Sequence, residues 1–366
     1  MDSRLRGNDK TFIGHTQMKP IYIHSGMAGA PQYANADGNI NGILEACLVN
    51  GFNSRTATSA SASGGVLTLN FASDPGFEAL QTVEVAVSSV ALVNGQHRVV
   101  ANSNNQVTIA IPGLPDGAVG SSGAGITIKQ AAAGWSKPYS NTTTAVFRPP
   151  AGNRRYLRCV HVVDEFVAVR AFTAMTSVDA GDNPFPTVAQ ASALLAVYNV
   201  YANAGAAWFV VATDKWFVFT LGSIFSGSAI NYGTGYLFFG ELLENLLASD
   251  VHNTCLIGAQ GGYMLSHDGA LNSLPVYLSA ETTMSWSLEN QEYTKFIPYV
   301  KIIQNSNNLM RGILPNVYKI SVESQNSNFE KVYENVLGID GRIKPIIRYS
   351  MEAANIAIAC DEDVWL

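Results

Sequence analysis

The sequence predicts a mainly β protein, α+β only through one minor helix. A small sandwich- or barrel-like β module is expected near the N-terminus, followed by a larger β-rich domain. Three observations carry the prediction. Runs such as "VLTLNF" and "QTVEVAVSSVAL" alternate apolar with polar residues, the period of half-buried strands. Gly- and Asn-containing connectors, such as Asn94-Gly95, separate these runs at short intervals. A single segment carries a clear helical stripe.

That composition belongs to a folded protein. Hydrophobic residues make up 47% of the 366 residues and charged residues only 14%, against about 25% charged in an average soluble domain. So much apolar surface excludes a disordered chain. A net charge of −6 argues against a general nucleic-acid binder.

Taken in order, residues 1–17 read as a non-native start. "MDSRLRGNDK" has no apolar core and is not a secretory signal. It resembles the peptide made when a dispersed bacterial repeat element is read in frame, so Met18 is the expected start. Residues 18–64 are expected to hold a helix and a linker. Ile40, Ile43, Leu44, Cys47 and Leu48 recur with helical spacing; Asp37 or Asn39 is expected to cap the start, and Gly51 to end it in a left-handed turn. "NSRTATSASASGG", from Asn53 to Gly65, reads as the linker. Residues 65–131 read as about six short strands, forming the small module.

Residues 132–366 form the larger domain. "TTAVFR", "RRYLRCVHVV" and "FVAVRAFTAM" read as strands, with Asp164-Glu165 turning between the last two. "AAWFVVA" and "WFVFTLG" form a second hairpin around Thr213-Asp214-Lys215. "GYLFFGELLENLLA" is expected to include a helical turn. "LPVYLSA", "IPYVKII", "VYKISVE", "IKPIIRYS" and "NIAIACDEDVWL" add strands. The uncharged run from Asn183 to Thr213 is long enough to span a bilayer. Ser192, Asn199, Asn203 and Gly205 interrupt it and basic flanks are lacking, so a short buried helix or loop followed by a core strand is expected.

Chemistry-bearing patterns are sparse. Asp37, Asn39, Asn41 and Gly42 imitate the start of a calcium loop, but its twelfth position is Leu48 where a bidentate Glu is required. His252 and Cys255, with His267-Asp268 beyond, fall short of four zinc ligands. No nucleophile elbow or phosphate-binding glycine motif occurs. Asp164/Glu165, Glu241/Glu244 and Asp361/Glu362/Asp363 are the carboxylate groupings a glycosidase would need, each at a position typical of solvated surface. Neither catalytic residues, cofactor nor metal are expected, and the chain reads as no enzyme. Cys47, Cys159, Cys255 and Cys360 lack C-x-x-C spacing and allow three pairings; free thiols are expected.

One basic stretch stands out, "GWSKPYSNTTTAVFRPPAGNRRYLRCVH". Strand alternation splits Arg148, Arg154, Arg155 and Arg158 between faces, so they build no phosphate funnel. Arginines so placed pair with carboxylates across strands or subunits.

The same stretch resembles a family of uncharacterised structural proteins from the tail modules of tailed bacteriophages and prophages. Its members open with "ACLV.GF", matched by Ala46 to Phe52. A "LNG.h.V" turn is matched from Leu92 to Val99, "GW.K..S.TN.AV.R" from Gly134 to Arg148, and "Y.TM.DVD.G..PFPT" from Phe172 to Thr187. "RG.LPG" is matched from Arg311 to Pro315, with Asn316 in place of the last Gly. The resemblance implies a virion structural protein, tail-associated, present in the host cytoplasm during assembly. Its implied partners are other tail proteins and copies of itself, with no nucleic acid and no membrane insertion. The expected interaction surface comprises Trp135, Lys137, Tyr139, Arg148, Arg154, Arg155 and Arg311, and Trp286 and Trp365 are further aromatic candidates, with core packing the favoured role for Trp135, Tyr139, Trp286 and Trp365. The alternative is a tail-tip protein that binds a receptor or a host-surface glycan.

Overall fold

The computed structural model describes residues 20–34, 39–119, 125–163 and 166–188, then segments 194–198, 208–221, 235–242, 254–260, 276–278, 281–288, 299–304, 309–319, 330–337, 343–350 and 356–361. The fold is mainly β, with one short α-helix among the described residues.

Strand β1 (Ile21–His24) leads to helix α1 (Asn39–Glu45), which widens into a π-helical turn over Ala46–Asn50. The expected stripe is the buried one: Ile43, Leu44, Cys47 and Leu48 are fully enclosed and Ile40 nearly so. Two details differ from expectation. The Asn39 side chain turns upstream, accepting from the Ala34 N–H and donating to the Gln32 carbonyl. Gly51 has the expected positive φ of 68°, but ψ is −176°, an extended mirror-image conformation rather than a left-handed turn.

The module follows as β2 (Phe52–Thr56), β3 (Ser59–Ser63), β4 (Val66–Asn70), β5 (Thr82–Ala86), β6 (Gly95–Ser103), β7 (Gln106–Ala110) and β8 (Thr127–Gln130). The stretch expected to be a linker is therefore two strands. Its Ser/Ala alternation has the period of a strand, and β3 turns only the small Ala60 and Ala62 inward, too little apolar signal to show in the sequence. The antiparallel order is β2-β8-β5-β6-β7-β4-β3. β6 changes partners along its length, meeting β5 up to Arg98 and β7 from Val99, with a register shift at the bend. The other corner is at Ala57–Thr58: the Ala57 N–H bonds the Ile126 carbonyl and the Thr58 N–H bonds the Asn70 carbonyl, each at 2.8 Å. These corners close the strands into a small barrel. Leu67, Leu69, Val83, Val99, Val107, Ile109 and Ile128 fill it.

The remaining described strands form two sheets. The smaller contains β9 (Ser136–Ser140), β10 (Thr144–Arg148), β11 (Tyr156–Val163), β12 (Phe166–Met175), β13 (Gly181–Phe185) and β14 (Leu194–Tyr198). The larger takes up β15 (Trp208–Ala212), β16 (Trp216–Leu221), β17 (Gly235–Glu241) and β18 (Thr254–Ile257). β19 (Ala259–Gln260) returns to the smaller sheet. The larger sheet continues with β20 (Val276–Leu278), β21 (Glu281–Leu288), β22 (Tyr299–Gln304) and β23 (Leu309–Lys319), then β24 (Glu330–Leu337), β25 (Ile343–Ser350) and β26 (Ile356–Asp361). Its order is β1-β15-β16-β17-β18-β20-β21-β22-β23-β26-β25-β24, and the smaller sheet runs β19-β14-β12-β11-β10-β9 with β13 also on β12.

Both expected hairpins, β11–β12 and β15–β16, are present. β14 is a strand where a helix or loop is expected, and β17 is a strand through Glu241, with 243–248 outside the described residues. No helix among the described residues is long and apolar enough to cross a membrane.

One core joins the α1 stripe, Phe147, Leu157, Cys159 and Val169 of the smaller sheet, and Phe217, Phe219, Leu237, Phe239 and Leu256 of the larger. β1 and α1 thus belong to the same body as the strands after Trp135, and the barrel is inserted between them. At the junction the Ala133 and Trp135 N–H groups bond the Cys47 and Leu48 carbonyls, and β2 pairs with β8 at Phe52 and Gln130.

Candidate functional site

The site is the smaller sheet from β9 to β13, which carries the basic stretch. Odd-numbered residues of β10 and β11 (Ala145, Phe147, Leu157, Cys159) enter the shared core. Even-numbered residues face away from it, so Arg148, Tyr156 and Arg158 lie together on the outer face. Strand alternation thus brings Arg148 and Arg158 to one face and leaves Arg154 and Arg155 in the connection between the strands.

Each cation on this face is engaged by its own chain. Arg148 lies over the Tyr156 ring, 4.8 Å from its centroid, and its Nε donates to the Arg154 carbonyl at 3.2 Å. Arg158 donates Nε to the Val178 carbonyl at 2.7 Å and pairs with Asp179 at 2.5 Å. The Tyr139 hydroxyl donates to the Met175 carbonyl at 3.1 Å. Residues 176–180 are thereby folded back over the sheet and clasped from β11 and from β9. Lys137 pairs with Glu45 of α1 at 2.5 Å, which ties the edge strand β9 to the helix.

Arg158 and Arg170 are direct cross-strand partners. Like charges so placed repel; burial, and secondly Arg158, holds the Arg170 pKa below its ordinary value. Asp179 supplies the compensating charge on the Arg158 side.

A carboxylate secures the β10–β11 turn. The Asn153 N–H donates to Glu241 Oε1, and Gly152, at φ 67°, lies so close that a β-carbon would stand 2.3 Å from that oxygen. The neighbouring Ala151 N–H donates to the Asp214 carbonyl at 3.3 Å. Burial pushes the Asp214 carboxyl above its ordinary pKa, partly offset by Lys215 and its own backbone.

The expected surface residues divide three ways. Trp135 is 3% exposed; its Nε1 donates to the Thr213 carbonyl at 2.7 Å and its ring packs edge-on to Phe217 and Phe239. It is a core residue. Lys137, Tyr139, Arg148 and Arg155 are half-buried, and Arg154 is exposed at φ 52°. Arg311 lies on β23 and Trp286 on β21, both in the larger sheet; nothing is described of their side chains, and Trp365 is outside the described residues.

Of the glycosidase groupings, Glu241 holds the hairpin, while Glu244, Asp164, Glu165, Glu362 and Asp363 lie outside the described residues. So do His252, His267, Asp268 and Asp37. Cys255 is fully buried, and burial raises its thiol pKa well above the ordinary value. The sequence marks Arg158 but not its partner Asp179, and nothing in it shows that Glu241 would meet Asn153 from 88 residues away.

No family model matches the chain, and no curated protein matches it. Among solved structures it is similar to the phage phi92 endosialidase, with 12% identity and a TM-score of 0.18, over 81% of this chain and 39% of that one. The chain thus spans about two-fifths of that protein's length. The expectation that the chain is no enzyme is corrected by this comparison, because the neighbour is by name an enzyme. A TM-score of 0.18 assigns this chain no activity either.

Proposed function

We propose that the chain is a tail-associated component of a tailed-bacteriophage or prophage particle, acting through contacts with other tail proteins and with copies of itself. One observation supports this best. The stretch from Gly134 to Thr187, which carries the family resemblance, folds as one sheet whose Lys137, Tyr139, Arg148 and Arg158 bind the chain's own carboxylates, carbonyls and rings. Cations and a hydroxyl of the kind that grips phosphate instead brace the chain itself. A rigid scaffold with few charges suits burial against symmetric neighbours. The glycan-binding alternative draws no support from Trp135, which is buried and cannot stack on a sugar.

Proteomics of gradient-purified particles from an induced host tests the proposal. Peptides from 134–187, in stoichiometric ratio to the major tail protein, are the expected result. Their absence from intact tail-bearing particles would sink it, and a glycan array and hydrolase assays would then be the next measurements.

A further inference from the structure

The chain passes between body and barrel twice, and its hydrogen bonds locate both crossings. On the way in, the Gly51 N–H bonds the Ala46 carbonyl of the body, and the next residue, Phe52, already pairs with Gln130 of β8. On the way out, the Ala131 N–H bonds the Thr82 carbonyl and the Ala132 carbonyl accepts from Gln96 Nε2, so both are still tied to the barrel. The Ala133 N–H then bonds the Cys47 carbonyl of the body. Each crossing changes sides within one peptide unit, at 51–52 and at 132–133. The two lie side by side, because Gly51 abuts the Gln130 carbonyl. Two short, adjacent crossings are the geometry of a hinge.

A further contact stands beside the hinge. The β4–β5 loop of the barrel bears on β1 and on the turn after it. A β-carbon on Gly76 would stand 2.5 Å from that of Ala28. His24 Nε2 lies 3.5 Å from Glu78 Oε2, and the Tyr22 hydroxyl donates to the Ala79 carbonyl at 3.4 Å. Leu80 packs against the main core. The same loop is fixed to the barrel: Phe77 is in the barrel core, the Leu80 N–H bonds the Val99 carbonyl at 2.7 Å, and Gln81 Oε1 accepts from the Glu78 N–H at 2.7 Å. It therefore belongs to the barrel and presses on the body. The pressing surface is shallow. Both polar contacts are long, Leu80 is only half-buried, and its φ of 67° is costly for a bulky side chain. Small, partly polar contacts between two units leave relative motion as the default.

We propose that the barrel is an arm, hinged at 51–52 and 132–133 and held closed on the body by residues 76–80 as a latch. Opening the latch swings the barrel as a unit and unfolds neither part.

Distances between spin labels in the full chain test this. Ser89→Cys places one label in the exposed loop after β5, and Thr142→Cys places the other in the exposed β9–β10 turn of the body. Cys360→Ser is included in the parent, and Cys47, Cys159 and Cys255 are buried. The parent should give one narrow distance distribution. Leu80→Asn removes the apolar anchor, and asparagine tolerates this φ better than leucine. Combined with Glu78→Ala it should give a broad distribution in place of the narrow one. Should the pair fail to fold, Glu78→Ala alone is read. Amide exchange in β4 to β8, and at the Gly51 and Ala133 N–H groups, should stay as slow as in the parent. A variant distribution as narrow as the parent's would show that other contacts fix the barrel. A parent already as broad as the variant would show that the loop holds nothing. Faster exchange within β4 to β8 would make the loop part of the barrel's own fold, and faster exchange at Gly51 or Ala133 would move the pivot. Any of these four results overturns the latched hinge.

Discussion

A β-carbon on Gly51 would stand 2.1 Å from the carbonyl oxygen of Gln130. These two residues are where the chain enters and leaves the barrel, and Gly51 sits there at φ 68° and ψ −176°. Both the close approach and the dihedrals require glycine. Gly51→Ala should therefore cost on the order of 3 kcal/mol. Gly64, at φ 59° with open space around its α-carbon, is the control, and Gly64→Ala should cost about 1 kcal/mol. Denaturant melts of the two variants decide it; equal losses would mean that the junction yields to the extra methyl group.

The clasp over residues 176–180 should depend on the Arg158 bond to a carbonyl more than on its ion pair. Asp179 is largely exposed, and exposed pairs contribute about 0–1 kcal/mol. The Val178 carbonyl accepts from Arg158 Nε at 2.7 Å, and hydrogen bonds to charged donors contribute about 1.5–3 kcal/mol. Arg158→Met should thus destabilise the protein and speed amide exchange in 176–180, while Asp179→Asn should do little of either. Hydrogen-exchange mass spectrometry separates the two; a larger effect from Asp179→Asn would reverse the ranking.

Strand periodicity was legible wherever the inward residues are large. Leu67 and Leu69, or Val107 and Ile109, mark their strands plainly. β2 and β3 were not legible, because β2 has no buried residue and β3 buries only two alanines. The corner at Ala57–Thr58 depends on backbone bonds to Ile126 and Asn70, which no local pattern encodes. At the site, alternation places Arg148 and Arg158 on one face, while Arg154 and Arg155 fall in the connection, where alternation does not apply; an arginine–carboxylate pair of the expected kind is formed by Arg158 and Asp179. Core packing, the favoured reading of Trp135, is its place in the structure, and its indole N–H bond to the Thr213 carbonyl, 78 residues along the chain, is a contact that no local pattern encodes.

Cys47, Cys159 and Cys255 are free, fully buried thiols, and burial pushes all three pKa values up. The thiolate is the reactive species, so the native protein should leave these three unmodified by iodoacetamide at pH 8, while denaturant exposes them all. Peptide mapping after brief labelling reads each site separately. Rapid native labelling of Cys47 would mean that the α1 stripe opens from the core.

Asp214 sets a pH dependence opposite to that of a salt-bridged carboxylate. One of its carboxyl oxygens is buried without a hydrogen-bond partner, and burial raises its pKa above the ordinary 3.8. Between the unfolded and folded values the folded chain therefore binds more protons, so this group's contribution to stability falls as pH rises through that window. Above the window the buried charge destabilises at every pH; below it both states are protonated and the effect vanishes. Asp214→Asn removes the charge at nearly constant shape. It should raise the melting temperature at pH 7 by roughly 2 °C, with the gain shrinking to nothing towards pH 3. Melting curves of both proteins at the two pH values test this; a variant less stable than the wild type at pH 7 would show that the carboxylate holds the β15–β16 turn as an anion.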